Sequence, residues 1–335
     1  MKTPTSFILV ISILFLFSCN ADKSKIITVT GEISTAKIGK TLHHEHILVD
    51  FIGADSIGYN RWNKEKVVKK VLPYLLEIKK LGYNTIIECT PAYLGRDPKL
   101  LKMLSEKSGL QILTNTGYYA AGAKYIPKHG LTESAEQLAN RWIDEAKNGI
   151  EGTEIYPGFI KISVENTPLN KISRKVVEAA CITHKETGLT IMSHTGPAAP
   201  AFEELEILKT YGVHPSAFIW THAQNEQDLN KTLEAARTGA WIAYDNFSPE
   251  NLDRFVNFIS LMKKEGLLNK LLLSHDAGWY RPEEPNGGDF KGYRDIEKYL
   301  IPALEKNGFS QQDIYQIFTT NPTEAFAVKI RIAEI

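Results

Sequence analysis

Thr41-Leu42-His43-His44-Glu45-His46-Ile47 sets three histidines and a glutamate inside one short β-rich run. A strand points successive side chains to opposite faces, so His44 and His46 share one face while His43 and Glu45 share the other. Neutral imidazole suits zinc and neighbouring transition metals, and a His-x-His pair on a strand brings two ligands to one point. Standing alone, the run reads equally well as a histidine-rich surface turn. What the later strands carry decides between the two.

Downstream, short β-rich segments alternate with longer helical patterns. Strands are expected at 41–50, 85–90, 111–117, 159–163, 189–194, 217–222, 241–245 and 270–276. Helices are expected over 64–81, 98–108 and 134–148, with Gly82 and Gly109 as stops for the first two. Eight βα units in one pass predict an α/β fold of the (β/α)8 TIM-barrel kind. An open doubly wound sheet fits less well, because no glycine-rich phosphate turn follows the first strand. Upstream, 26–33 alternates as a short β segment that covers one end of the barrel. The Gly- and Pro-rich segment 277–291 is the last βα loop, long enough to shape a substrate pocket.

Acidic and basic side chains number 39 each among 335 residues, so no basic groove for nucleic acid is expected. Residues 7–17 are almost wholly apolar, a run too short for a membrane span and right for a signal-peptide core. It ends in Leu16-Phe17-Ser18-Cys19, which is similar to a bacterial lipoprotein cleavage site. Residues 1–18 therefore read as a signal peptide, 19–25 as a tether and 26–335 as a single domain. Lipidation of Cys19 would make the chain a periplasmic or cell-surface lipoprotein. The same residues also read as an ordinary secretory signal with an incidental cysteine, and either reading exports the protein. Cys89 and Cys181 sit in apolar contexts and read as buried small hydrophobes rather than a disulfide.

In such a barrel the chemistry lies at the carboxyl ends of the strands. His44 and His46 belong to the first strand, Lys161 lies within the fourth, and His194, His222 and Asp276 end the fifth, sixth and eighth. Each has a plain reading: a terminal histidine solvates the barrel mouth, and a terminal aspartate caps a helix. Recurrence at equivalent positions favours a metal site. Lys161 lies between Ile160 and Ile162, where an unpaired ammonium is costly to bury. A neutral lysine can take up carbon dioxide, and the carbamate is an anionic ligand able to bridge two cations. Pairing of Lys161 with a carboxylate such as Glu88 is the other reading, and spacing leaves both open.

The segments Thr41-Leu42-His43-His44-Glu45-His46, Gly158-Phe159-Ile160-Lys161, Ser193-His194-Thr195, Thr221-His222 and Leu273-Ser274-His275-Asp276 resemble the ordered motifs of the phosphotriesterase family in the amidohydrolase superfamily. The resemblance runs from Val29 to Pro322. It implies a binuclear centre in which His44, His46 and Asp276 hold one divalent metal and His194 and His222 the other, bridged by carboxylated Lys161 and a hydroxide. Zinc is the first choice, and manganese, cobalt or iron suits the same ligands. His43 and His275 match no ligand and read as structural by strand parity. The implied reaction is hydrolysis of a small-molecule lactone, carboxylic ester or phosphoester, with Asp276 as proton acceptor. A homodimer is a further implication.

The subgroup hallmarks are missing. Where well-studied phosphotriesterases carry an acid and a histidine as proton relay, this chain has Asn225 and Asn246, and the lactonases' Asp-Arg-Tyr reads Asp245-Asn246-Phe247. Tyr118 and Tyr119 resemble the lactonases' aromatic loop. Together with Asn246, Trp279 and Arg281 they are the expected substrate contacts. Arg281 could hold a carboxylate or phosphate, and it reads equally well as a surface arginine. The alternative from another class is a non-catalytic barrel that keeps its metals and binds a ligand at the cell surface. Within enzymes, an amidase and a sugar-phosphate lactonase also remain open.

Overall fold

A computed structural model describes residues 24–165 and 168–333. The expected signal peptide, Cys19 and most of the tether lie outside these residues. Eight parallel strands form the barrel: β1 (Thr41–Glu45), β2 (Thr85–Glu88), β3 (Gln111–Leu113, resumed after Thr114 as Asn115–Thr116), β4 (Phe159–Ser163), β5 (Ile191–His194), β6 (Phe218–Thr221), β7 (Trp241–Tyr244) and β8 (Leu271–Leu273). Each pairs with its sequence neighbours. The seam between β8 and β1 closes just past the strand ends. There Asp276 N donates to His44 O at 3.1 Å, His46 N to Ala277 O at 2.9 Å and Tyr280 N to Ile47 O at 3.0 Å.

The crossover helices begin and end where local chemistry allows. Asn63 accepts from Lys66 N to cap α1 (Lys64–Lys80), and Asp97 accepts from Leu100 N to cap α2 (Pro98–Ser108), which Gly109 ends in the left-handed region. A capping box of Ser134 and Gln137 opens α3 (Ala135–Asn148). Helices Lys171–Thr187, Ala198–Thr210, Leu229–Thr238 and Leu252–Lys264 complete the outer ring before β8. Among the described residues, no helix is long and apolar enough to cross a membrane.

Strand alternation sorts the core into two parts. Leu42, Ile86, Ile112, Ile160, Ile162 and Ile242 pack outward against the helices. Ile87, Leu113, Phe159, Met192, Ile219, Trp241 and Leu272 fill the barrel, and Ile26, Ile38 and Phe326 close its amino end. Lys161, two residues beyond Phe159, therefore shares the inward face one layer higher.

Two local features differ from the sequence reading. Residues 26–33 are not one segment: Lys25–Thr28 and Gly31–Ser34 form an antiparallel hairpin, and the first strand starts one residue before the expected domain boundary. Thr28 Oγ1 donates to Gly31 O at 2.8 Å to close its turn. Alternation continues through such a turn, so periodicity did not reveal the reversal. In β1, pairing to β2 runs Leu42↔Ile86 and then Glu45↔Glu88, three residues against two. This bulge interrupts the simple alternation expected for His43 to His46.

Candidate metal centre

His44, His46, Lys161, His194, His222 and Asp276 line one cavity of about 50 Å³ at the carboxyl end of the barrel. Its remaining wall is largely apolar, made by Val49, Phe51, Cys89, Pro91, Leu94, Tyr119 and Trp279. Asp276 Oδ1 stands 3.1 Å from His46 Nε2 and 3.7 Å from His44 Nε2. Across the cavity His194 Nδ1 and His222 Nε2 are 2.7 Å apart. Donor atoms of His44, His222 and Asp276 all lie within 4.8 Å of one another.

Lys161 is 2 % exposed, and its Nζ makes no hydrogen bond. Its anticipated partner Glu88 is occupied elsewhere, accepting from Ile47 N at 3.2 Å, Thr90 N at 3.3 Å and Thr90 Oγ1 at 2.5 Å. The Lys161–Glu88 pair is therefore not formed. An unpaired buried amine beside converging imidazoles is costly unless another group completes it. Imidazole nitrogens plus a carboxylate oxygen form a donor set that divalent transition metals take, so these residues fit such ions.

Each histidine is held by a second contact on its far side. His44 Nδ1 donates to Asp245 Oδ2 and His222 Nδ1 to Asp245 Oδ1, both at 2.7 Å. His46 Nδ1 donates at 2.8 Å to Thr90 Oγ1, whose own proton goes to Glu88. These three present Nε2 to the cavity. His194 is reversed: its Nε2 lies 3.3 Å from Tyr119 OH and Nδ1 faces inward. Burial pushes the Asp245 carboxyl up, but the charges and N–H donors of His222 and His44 outweigh it and hold the group well below the usual carboxylate range. Burial, reinforced by the charge of Lys161, keeps His44 well below the usual imidazole range. Burial and the His222 charge do the same to His194. For His222 burial acts downward, yet Asp245 outweighs it and the imidazole is raised.

The backbone is strained where two of the cavity-lining residues emerge. Asp276 (φ 53°) and His222 (φ 60°) both adopt left-handed conformations. Two glycines let loops press against the strands that carry Lys161 and His46: a Cβ on Gly117 would come 2.2 Å from Lys161 O, and one on Gly278 1.8 Å from His46 O.

Of the five expected substrate contacts, Tyr119 and Trp279 line the cavity. Trp279 lies 4.9 Å from the His46 ring and stacks on Phe51 at 5.7 Å. The other three lie elsewhere. Tyr118 turns away, its OH 2.9 Å from His129 Nε2 and its ring edge-on to Trp142. Arg281 does not line the cavity: it pairs with Glu284 at 2.9 Å, its guanidinium 5.9 Å from the centroid of the Trp279 ring, and the exposed Asn246 offers its backbone carbonyl to Asn251 at 2.6 Å. Asp245, Thr90 and Phe51 were missed by sequence reasoning. Asp245 ends a strand like the flagged ligands and was open to the same rule, whereas Phe51, in a loop, carried no periodic signal.

His43 is buried without a hydrogen bond, and burial pushes its imidazole down to about 4. His275 donates from Nδ1 to Glu45 at 2.7 Å and accepts at Nε2 from Ile296 N at 3.0 Å. Neither lines the cavity. Cys89 and Cys181 are free and buried.

An aryldialkylphosphatase of Saccharolobus solfataricus is 28 % identical over 311 residues, covering 88 % of this chain and 97 % of the relative. An N-acetyltaurine hydrolase of Tetraodon nigroviridis is 26 % identical over 348 residues, covering 91 % and 98 %. The crystal structure of a phosphotriesterase homology protein from Escherichia coli, with phosphate in its active site, superposes with a TM-score of 0.76 at 27 % identity, covering 87 % of this chain and 99 % of that one. The profile of the phosphotriesterase family matches residues 24–326, most of the chain. A closed eight-stranded barrel with histidines, a lysine and an aspartate at its carboxyl end thus goes with a family-wide sequence match, and the chain belongs to the phosphotriesterase family.

Proposed function

We propose that this chain is a divalent-metal-dependent hydrolase that cleaves a small-molecule lactone, carboxylic ester or phosphoester. The observation that carries the reading is the unpaired Lys161 Nζ, buried among four imidazoles and the Asp276 carboxylate. His44, His46 and Asp276 would hold one cation, and His194 Nδ1 and His222 Nε2 the other. Lys161 would serve both after its amine adds to the carbon of carbon dioxide and loses one proton. Zinc is the expected ion, with manganese, cobalt or iron suited to the same donors. Such a pair supplies a water nucleophile acidified to near-neutral pH and polarises the scissile carbonyl or phosphoryl oxygen.

The protein's own groups do the rest. Asp276, whose side chain is 19 % exposed, accepts the nucleophile's proton at a carboxylate oxygen and returns it to the leaving group. Phe51, Leu94, Tyr119 and Trp279 wall the cavity against water and seat the apolar part of the substrate. Lys161 is the sole lysine or arginine among the described lining residues, and Arg281 is engaged by Glu284. That favours an uncharged lactone or ester over a substrate with a free carboxylate, sulfonate or phosphomonoester. The two relatives named for hydrolysing a phosphoester and an amide support hydrolysis without deciding the bond.

The proposal includes export and anchoring through Cys19, which a Cys19→Ala chain released to the soluble fraction would support. The main test is metal content per chain together with turnover of a panel of lactones, aryl esters and phosphotriesters. About two cations and turnover of one class is the expected result. Two cations without turnover would favour a surface binding protein, and a chain that takes up no cation after reconstitution would overturn the reading.

A further inference from the structure

The two oxygens of Asp245 have unequal surroundings. Oδ1 receives three N–H donors: His222 Nδ1 at 2.7 Å, His222 N at 3.2 Å and Gln224 Nε2 at 3.1 Å. Oδ2 receives His44 Nδ1 at 2.7 Å and a weaker share of His222 N at 3.3 Å. The orientation of Gln224 is itself fixed, because its Oε1 accepts from Asp245 N at 3.2 Å, which turns Nε2 toward Oδ1. Gln224 and Asp245 are both buried, so no water competes at these atoms.

A carboxylate only accepts hydrogen bonds. Each histidine against Asp245 must therefore carry its proton on Nδ1, which leaves a lone pair on Nε2 facing the cavity. His44 belongs to one candidate cation site and His222 to the other. We propose that Asp245 is a positioning residue shared by both halves of the centre, with Oδ2 fixing the tautomer of His44 and Oδ1, held by Gln224, fixing that of His222.

The inequality gives a sharp consequence. In Asp245→Asn the amide oxygen must occupy the Oδ1 position, where three N–H donors converge, and the amide NH2 must then face His44. His44 Nδ1 becomes an acceptor, and its proton moves to Nε2, the atom directed at the cavity. No lone pair remains there for a cation. His222 keeps its partner and its tautomer. One carboxylate-to-amide change is thus expected to disable the site of His44, His46 and Asp276 and spare that of His194 and His222.

The test has two arms, and the first does not depend on the two-cation reading on which the second rests. Long-range proton–nitrogen correlation spectra of metal-free, 15N-histidine-labelled protein, recorded above the ordinary imidazole range, report each tautomer; His44→Gln and His222→Gln chains supply the assignments. Wild type is expected to show Nδ1–H at both histidines, and Asp245→Asn to show Nε2–H at His44 alone. In the second arm, titration with zinc against a competing chelator should show one site weakened by roughly 10–100-fold and the other within a few-fold of wild type. An unchanged His44 in Asp245→Asn, or equal weakening of both sites, overturns the proposal. If Asp245→Asn does not fold, Nε2–H at either histidine of the wild type still overturns it. The predicted tautomers in a wild type that binds no zinc would uphold Asp245 as their determinant and remove the two-cation reading instead.

Discussion

The carboxylate of Glu45 and the imidazole of His275 meet at 2.7 Å at the seam where the last barrel strand rejoins the first. The same carboxylate receives Ser274 Oγ at 2.7 Å and Ala277 N at 2.8 Å. Through His275 Nε2 it is linked to Ile296 N, at the start of the helix that follows. One buried glutamate thus joins both sides of the closure, immediately beside Asp276. Glu45→Ala leaves these donors without an acceptor and is expected to lower unfolding stability by about 3–5 kcal/mol, measured by urea denaturation of the metal-free chain. A loss well under 1 kcal/mol would mean that the seam is held by its backbone bonds alone.

Lys161→Met should separate stability from function. A thioether in place of a buried amine with no hydrogen-bond partner is expected to stabilise the metal-free fold by about 1–3 kcal/mol. The same change should cost at least one cation per chain and abolish turnover. Thermal melts with and without zinc check both, and 13C-bicarbonate labelling should give a carbamate signal in wild type that the variant lacks.

Asp276→Asn keeps the shape of the side chain and removes the proton acceptor proposed above. The expected result is a fall in kcat of about 10²–10⁴-fold with a much smaller change in KM, read from steady-state kinetics on the best substrate of the panel. Unchanged turnover across the pH range would remove Asp276 from the proton path.

Glu204 is buried, receiving Thr195 Oγ1 at 2.6 Å, and burial pushes its carboxyl up to about 8. In the unfolded chain an ordinary glutamate titrates near 4.3. The folded state therefore binds the extra proton, and the stabilisation is complete below about pH 4.3, declines as pH rises, and is gone above about 8. The slope from this group is at most about 1.4 kcal/mol per pH unit. Glu204→Gln, permanently neutral, is expected to flatten that decline, so its advantage over wild type in denaturant midpoint should grow from pH 5 toward 8. Parallel curves for the two proteins would show that Glu204 is ionised in the fold.

Arg281 and Phe51 make a contrasting pair for the pocket. Arg281→Ala, removing a side chain tied to Glu284, is expected to leave kcat/KM within about 2-fold. Phe51→Ala opens an apolar wall and should lower kcat/KM by roughly 10–200-fold, mainly through KM. The reverse order would place an anionic substrate group near Arg281.

Much of the barrel was legible because its signals are local. Runs such as Phe159 to Ser163 alternate inward and outward, and Asn63, Asp97, Ser134 and Gly109 mark helix ends by their own hydrogen-bonding or conformational needs. The residues that surround the cavity were legible for a related reason: a polar group at the end of an apolar run is conspicuous. What sequence did not show depends on who meets whom across the barrel. Tyr118 and Tyr119 are neighbours of one type, yet one faces His194 and the other His129. The role of Asp245 arises from contact with His44, 201 residues away in the chain. The bulge in β1 and the hairpin turn at Gly31 are breaks in register, which an alternating pattern conceals.

The left-handed backbones at His222 and Asp276 bear on how such a chain changes over generations. Strained positions of this kind cost about 1–3 kcal/mol, and glycine would relieve them. Selection for thermal robustness alone therefore pulls His222 toward glycine and Asp276 toward glycine or asparagine, erasing the centre while improving the barrel. Only a requirement for the chemistry opposes that drift, so the identity of these two residues in laboratory lineages is a running record of whether activity is still being demanded.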